Sequence, residues 1–235
     1  RRFHAGGGAR VLQGYMPVAL PHRRGADQAP TALYARDYET QVAGWRRGDS
    51  DTILGSLWGG NVSLPRSLYL AAESFLPSQR LDYNEDLDLG LRLARIGATA
   101  VFDDGARATH HHARGLVAYM VECEVRGQAV SDLEDRWGER PGQLAPMVTI
   151  PPSYPRLLGE MQRRIAARDS GGVVQAAVVG VYRISGFLRV WRLQDAATRL
   201  LRRALIMRGY RRARTARSHP HDGAATDVVR AAGGR

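Results

Sequence analysis

Four carboxylates, Asp82, Glu85, Asp86 and Asp88, fall within seven residues of the stretch "DYNEDLDLGLRL". Leucines at helical spacing follow at once, and three consecutive histidines, His110, His111 and His112, come soon after. Acids at the start of a helix have an ordinary use, because exposed backbone N–H groups and the helix dipole favour negative charge there by roughly 0.3–1 kcal/mol each at a surface. The histidines suggest a second use. One short strand separates them from the helix, so in a parallel or mixed sheet the helix start and the strand end can face the same cleft edge. A carboxylate and an imidazole meeting at such an edge make either a metal site or an acid/base pair. Both suit Mn²⁺, Mg²⁺ or Zn²⁺, and one histidine among oxygen ligands favours Mn²⁺. The alternative for "HHH" is a solvated loop with no ligand role. Upstream, "WGGN" (Trp58, Gly59, Gly60, Asn61) joins an indole that can stack on a ring, two glycines that allow close backbone approach, and an amide. Its ordinary reading is a turn with a core tryptophan.

The elements that must hold these groups can be read in order. "RVLQGYMPV" (Arg10 to Val18) reads as a strand. From Asp27 to Gly48, Leu33, Tyr34, Tyr38, Val42 and Trp45 recur at helical intervals, with Asp27 as the expected cap and Gly48 as the stop. "ILGSLWGGNVSLP" (Ile53 to Pro65) breaks on its glycine pair and re-forms as a short strand. In the acidic helix, Leu87, Leu91 and Ala94 are expected on one face, and Asp88 with Arg92 as an exposed i,i+4 pair on another; Gly97 ends the helix. "ATAVFDD" is then a strand, "GARATHHHARG" a loop, and "GLVAYMVECEVRGQAV" a helix. Strand, helix, strand, helix implies an α/β layer.

Composition narrows the classes. With 235 residues, 44% of them apolar, the chain can bury a sizeable core. It opens on Arg1 without a secretory leader, so more chain is expected upstream. The single cysteine, Cys123, excludes an internal disulfide framework and fits a reducing, cytoplasmic setting. All 34 basic residues are arginine. Residues 1–155 carry 17 basic against 18 acidic groups and residues 156–217 carry 15 against 3, so one segment owns most of the net +11 charge. That segment reads as helices: Val174, Ala177, Val178, Val181, Ile184 and Leu188 share one spacing, and Leu200, Leu201, Ala204 and Leu205 another. Its longest charge-free run is too short to span a bilayer. A basic amphipathic segment suits an anionic membrane surface, and nucleic acid is disfavoured because no nucleic-acid-binding motif accompanies the charge. Packing back on the domain with solvated arginines is the alternative.

From Val11 to about Gly127 the chain resembles the acceptor-side half of family 2 glycosyltransferases of the GT-A type. The matching pieces are "LQGY", "LWGGNVSLPRSLY", "NEDLDLGLRLARIGATAVFDD" and "ATHHH", in the family's order and approximate spacing. Each is short; four in order carry the resemblance. It implies an inverting transfer in which Asp86 is the general base toward an acceptor hydroxyl and Glu85 orients the acceptor or holds the loop. It further implies His110 as a ligand of Mn²⁺ or Mg²⁺, His112 as a contact to a phosphate or the acceptor, and Trp58, Gly59, Gly60 and Asn61 as the sugar-binding edge. The partners implied are a nucleotide-sugar donor and a glycan or lipid-linked acceptor, with the enzyme at the cytoplasmic face of the membrane.

A complete enzyme of that family carries, before "LQGY", a nucleotide-binding half ending in an Asp-X-Asp metal motif. The chain shows neither, and Asp103-Asp104 is no substitute because it follows the base. The expected architecture is therefore α/β: a partial GT-A-like mixed sheet with flanking helices at 1–140, a proline-rich linker or arm at 141–155, a basic helical segment at 156–217 and a disordered tail at 218–235. A non-catalytic module that binds glycan or membrane is the rival expectation.

Overall fold

The computed structural model describes residues 8–75, 81–138, 148–167 and 172–218. The expected tail beyond Ser218 and the first part of the proline-rich segment, 141–147, lie outside them. The described chain is mixed α/β and mostly helical, with a three-stranded sheet. β1 (Arg10–Tyr15) is central, with β2 (Val62–Ser63) antiparallel on one side and β3 (Thr99–Arg107) parallel on the other. Between the strands of the parallel pair come α1 (Ala29–Trp45), α2 (Ser50–Leu54), α3 (Arg66–Phe75) and α4 (Glu85–Arg95). After β3 follow α5 (Leu116–Trp137), α6 (Arg156–Ala166), α7 (Gly172–Phe187) and α8 (Trp191–Ser218).

The apolar spacing seen in the sequence is the spacing that packs. Leu33, Tyr38, Val42 and Trp45 of α1 are buried, and Trp45 donates its indole N–H to Ser56 Oγ at 2.8 Å. Tyr38, Val42 and Trp45 join Leu54, Leu57 and Leu93 beside the sheet. A second cluster gathers Ala29, Leu33, Leu87, Leu133, Leu201 and Leu205, so the basic C-terminal helix shares a core with the first helix and the acidic one. Because α4 lies between the two clusters, its buried positions are Leu87, Gly90 and Leu93 together with the charged Asp88 and Arg92; the expected Ala94 is exposed.

Three further expectations are corrected. Asp27 does not cap α1, whose N-cap is Gln28 without a side-chain cap. Its carboxylate instead accepts the Leu116 N–H at 3.2 Å and the Tyr182 hydroxyl at 2.7 Å, tying the start of α5 to α7. Asp88 and Arg92 are not a surface pair: both are buried, 3.2 Å apart, and Asp88 also accepts from Arg136 at 2.6 Å and Trp137 Nε1 at 3.0 Å. β3 runs to Arg107, three residues into the expected loop.

α5 and α8 approach through glycine. A Cβ built on Gly127 would lie 2.0 Å from the Ile206 carbonyl oxygen, and one on Gly209 2.0 Å from that of Glu124. Around this contact Glu124 pairs with Arg208 and Arg212, each at 2.6 Å, Asp135 with Arg214 at 2.6 Å, and Arg217 with Asp132 and Asp135. Much of the basic charge of α8 therefore faces acids of α5. Gly209→Ala forces backbone apart and should destabilise the fold by about 1–3 kcal/mol in urea unfolding. Gly44→Ala, in α1 with nothing within 4 Å of a built Cβ, should be neutral or gain up to about 1 kcal/mol. Equal stabilities for the two variants would contradict the close packing.

Candidate active site

The turn before α4 is unusual. Asn84 adopts the left-handed conformation (φ 61°, ψ 24°) and is buried, its carbonyl accepting the Asp88 N–H at 3.0 Å. Non-glycine residues favour that region rarely, asparagine more than most. The turn presents Glu85 to solvent and brings Asp86 back against the "WGGN" segment. Asp86 Oδ2 accepts the Gly59 N–H at 3.0 Å, and Oδ1 accepts the Leu87 N–H at 2.8 Å. The second contact is the helix-start role that such acids commonly have; the first reaches 27 residues back along the chain. Burial raises the Asp86 carboxyl above its ordinary range and Glu85 adds to the shift, while the two accepted N–H bonds oppose it.

A single residue staples the other side. Gln13 of β1 is buried; its Oε1 accepts the Trp58 N–H at 3.1 Å and its Nε2 donates to the Asn61 carbonyl at 3.2 Å. Asn61 in turn donates its amide to the Tyr15 and Ala106 carbonyls, at 3.2 and 2.8 Å, across the irregular step in β1–β3 pairing. Its N–H groups, expected to reach sugar hydroxyls, thus hold the sheet edge.

Trp58, Gly59, Gly60, Glu85, Asp86 and His110 line one cleft of about 740 Å³. A helix start and a strand end thus meet as their order suggested, and the glycine turn joins them. His110 is fixed by its backbone, which donates to the Pro17 carbonyl at 3.0 Å and accepts from the Ala19 N–H at 2.9 Å, extending the β1–β3 edge. Its Nδ1 lies 3.3 Å from the Tyr34 hydroxyl. His112 does not line the cleft; its ring stacks on Tyr34 at 4.1 Å, and it borders a neighbouring hollow with Asp27 and Thr31. His111 is exposed. Burial, then the Arg114 charge, lowers the pKa of both His110 and His112, which favours neutral imidazoles. Asp103 and Asp104 lie elsewhere, Asp104 pairing with Arg46 at 2.6 Å.

Several groups in the cleft escaped the sequence reading. Tyr34 contacts the rings of Trp58, His110 and His112 at centroid distances of 5.3, 5.5 and 4.1 Å, making an aromatic wall. Burial pushes its hydroxyl pKa up to about 12, with the Asp86 charge adding to the shift, so it stays a neutral donor. Its helical spacing marked it only as core. Arg114, Arg126 and Arg202 also line the cleft, drawn from ahead of α5, from α5 and from α8. Nothing in their local sequence separates them from other arginines.

The chain matches no protein-family model, no curated protein and no solved structure.

Among the described residues, no three or more His, Cys, Asp or Glu side chains gather as a metal site. His110 alone does not hold Mn²⁺ or Mg²⁺, so these residues do not form the site unaided. Chemically, the arrangement offers a desolvated carboxylate near backbone N–H groups, an aromatic wall and a basic wall in one recess.

Proposed function

We propose that the chain is the acceptor-side part of an inverting glycosyltransferase of the GT-A type, moving a sugar from a nucleotide-sugar donor to an acceptor hydroxyl. The observation that carries the reading is Asp86: a carboxylate desolvated in the cleft, held by Gly59 and faced by Trp58 and His110. In such a transfer the hydroxyl attacks the anomeric carbon as the nucleoside diphosphate departs from the opposite face, and the base takes the hydroxyl proton. A raised pKa makes Asp86 a better proton acceptor than a surface aspartate. Glu85, exposed at the rim, is proposed to orient the acceptor, and Trp58 with Tyr34 to receive a sugar face. His110 is proposed as this chain's one contribution to a Mn²⁺ or Mg²⁺ site whose carboxylates come from an Asp-X-Asp half. With that half present, nucleoside diphosphate should be released only when an acceptor hydroxyl is supplied. Glycan binding without release in any combination would favour the non-catalytic module.

A second observation favours a lipid-linked acceptor and a place at the cytoplasmic face of the membrane. Around the α7–α8 turn Ile184, Phe187, Leu188, Val190 and Leu193 are exposed, Phe187 at 82%, and Arg183, Arg189 and Arg192 stand among them with no acid between 183 and 193. Among the described residues no helix is long and apolar enough to cross a membrane. An apolar tip ringed by arginine suits the interface of an anionic bilayer, at about 1 kcal/mol per basic residue near the surface. The chain should co-sediment with anionic vesicles and not with neutral ones, binding should weaken with salt, and Phe187→Asp with Leu188→Asp should abolish it. Indifference of the wild-type chain to anionic vesicles at low salt would sink this part of the reading.

A further inference from the structure

The basic wall of the cleft is unevenly neutralised. Arg114 pairs with Glu122 at 2.6 Å, and Arg202 pairs with Asp37. Arg126 has no carboxylate within ion-pair distance among the described residues. Its guanidinium carbon lies over the Tyr83 ring, 5.5 Å from the centroid, and its Nε is buried without a hydrogen-bond acceptor. The Tyr83 hydroxyl donates to Glu122 at 2.9 Å, which places Arg126 and Arg114 on one wall, linked through the Tyr83–Glu122 contact. The Asp82, Glu85 and Asp86 carboxylates also line the cleft. A half-buried cation with an unfilled donor is costly unless an anion meets it. An anion entering this recess is repelled by the acids and received by the arginines.

We infer that Arg126, with Arg114, seats a phosphoryl group brought into the cleft by a substrate. Guanidinium forks suit phosphate oxygens, and a phosphoryl group offers three oxygens to donors on separate side chains where a carboxylate offers two. The Tyr83 ring against Arg126 restricts that side chain before binding, so less side-chain freedom is lost on binding. The source of the phosphoryl group rests on the transfer reading: it is either the diphosphate of the donor or a phosphate on the acceptor, and the seat itself requires neither turnover nor a second domain.

The test is a calorimetric titration of the chain with inorganic phosphate and pyrophosphate, beside Arg126→Gln, Arg126→Lys, Arg114→Gln and, as a control outside the cleft, Arg163→Gln on α6, all checked for an unchanged melt. Binding should weaken about tenfold or more in Arg126→Gln, less in Arg126→Lys and Arg114→Gln, and not at all in Arg163→Gln. Two further arms identify the source. A nucleoside diphosphate whose affinity depends on Arg126 points to the donor, and an alkyl monophosphate that does so points to the acceptor; either supports the seat. No binding of phosphate or pyrophosphate by the wild-type chain, or equal affinity across all four variants, overturns it. Should Arg126→Gln fail to fold, equal affinities in wild type, Arg126→Lys and Arg114→Gln overturn it as well. Because no transfer is measured, a negative result leaves the role proposed for Asp86 standing, and an inactive transferase leaves the seat standing.

Discussion

Asp88→Ala should destabilise the fold by about 3–5 kcal/mol, the cost of breaking a buried ion pair by removing one partner. The Asp88 side chain is 2% exposed and receives Arg92, Arg136 and the Trp137 indole. Arg92, itself 6% exposed, would keep Glu73 at 2.7 Å but lose its second carboxylate, and the Trp137 N–H would lose its acceptor. The contacts from Arg136 and Trp137 pin the end of α5 to the start of α4. Asp88→Ala should therefore lower the midpoint of urea unfolding strongly, and transfer should fall only in proportion to the fraction unfolded. Stability within about 1 kcal/mol of wild type would show a pair worth no more than a surface salt bridge.

Asp86 and Asp88 show how far a sequence can be read. Both sit in the first turn of α4, and spacing put Asp88 with Arg92 on a face other than that of Leu87. It could not say that the face of Asp88 is buried, because an i,i+4 Asp–Arg pair has the same spacing in solvent and in a core; Arg136 and Trp137, which decide the matter, lie 48 and 49 residues away. The strands, the apolar stripe of α1 and the existence of α4 and α5 were legible because burial selects apolar side chains at the period of the element, although the core face of α4 falls on Leu87, Gly90 and Leu93 rather than on Leu91 and Ala94. The convergence of Asp86 and His110 was legible from element order, since a helix start and the end of the following parallel strand fall on one edge; Trp58, Gly59 and Gly60 were tied to them only through the resemblance. The staples were not. Gln13, Asn61 and Asp27 act through hydrogen bonds to distant backbone groups, and polar residues on a strand, in a turn and before a helix look alike whichever backbone they meet. The stripe Val174, Ala177, Val178, Val181, Ile184 and Leu188 carried a clear helical period, yet only Val178 of it is buried; Val181, Ile184 and Leu188 face outward, since Tyr182, Ser185 and Gly186 complete the packed side of α7.

If Asp86 served only the start of α4, asparagine would replace it with little effect on any property. As a general base it cannot be replaced in this way: the carboxamide takes no proton, and transfer should fall by roughly 10²–10⁴-fold. The fold should tolerate the change. Asparagine offers one acceptor oxygen to the Gly59 and Leu87 N–H groups, a loss of about 1 kcal/mol. Against this, a carboxyl whose pKa is raised in the folded state gives stability that is present below its unfolded pKa and lost as pH rises through the folded value, so ionised Asp86 is a cost near neutrality that the variant removes. The same shift places the acid limb of the wild-type rate at a pH above that of an ordinary aspartate. Glu85→Gln, at the exposed rim, should reduce transfer less than Asp86→Asn does. The decisive measurement is the rate of acceptor-dependent nucleoside diphosphate release by Asp86→Asn, with the nucleotide-binding half present and the melt recorded in parallel. The account predicts a folded, nearly inactive protein; release at a rate close to wild type would contradict it and return Asp86 to the role of a helix cap.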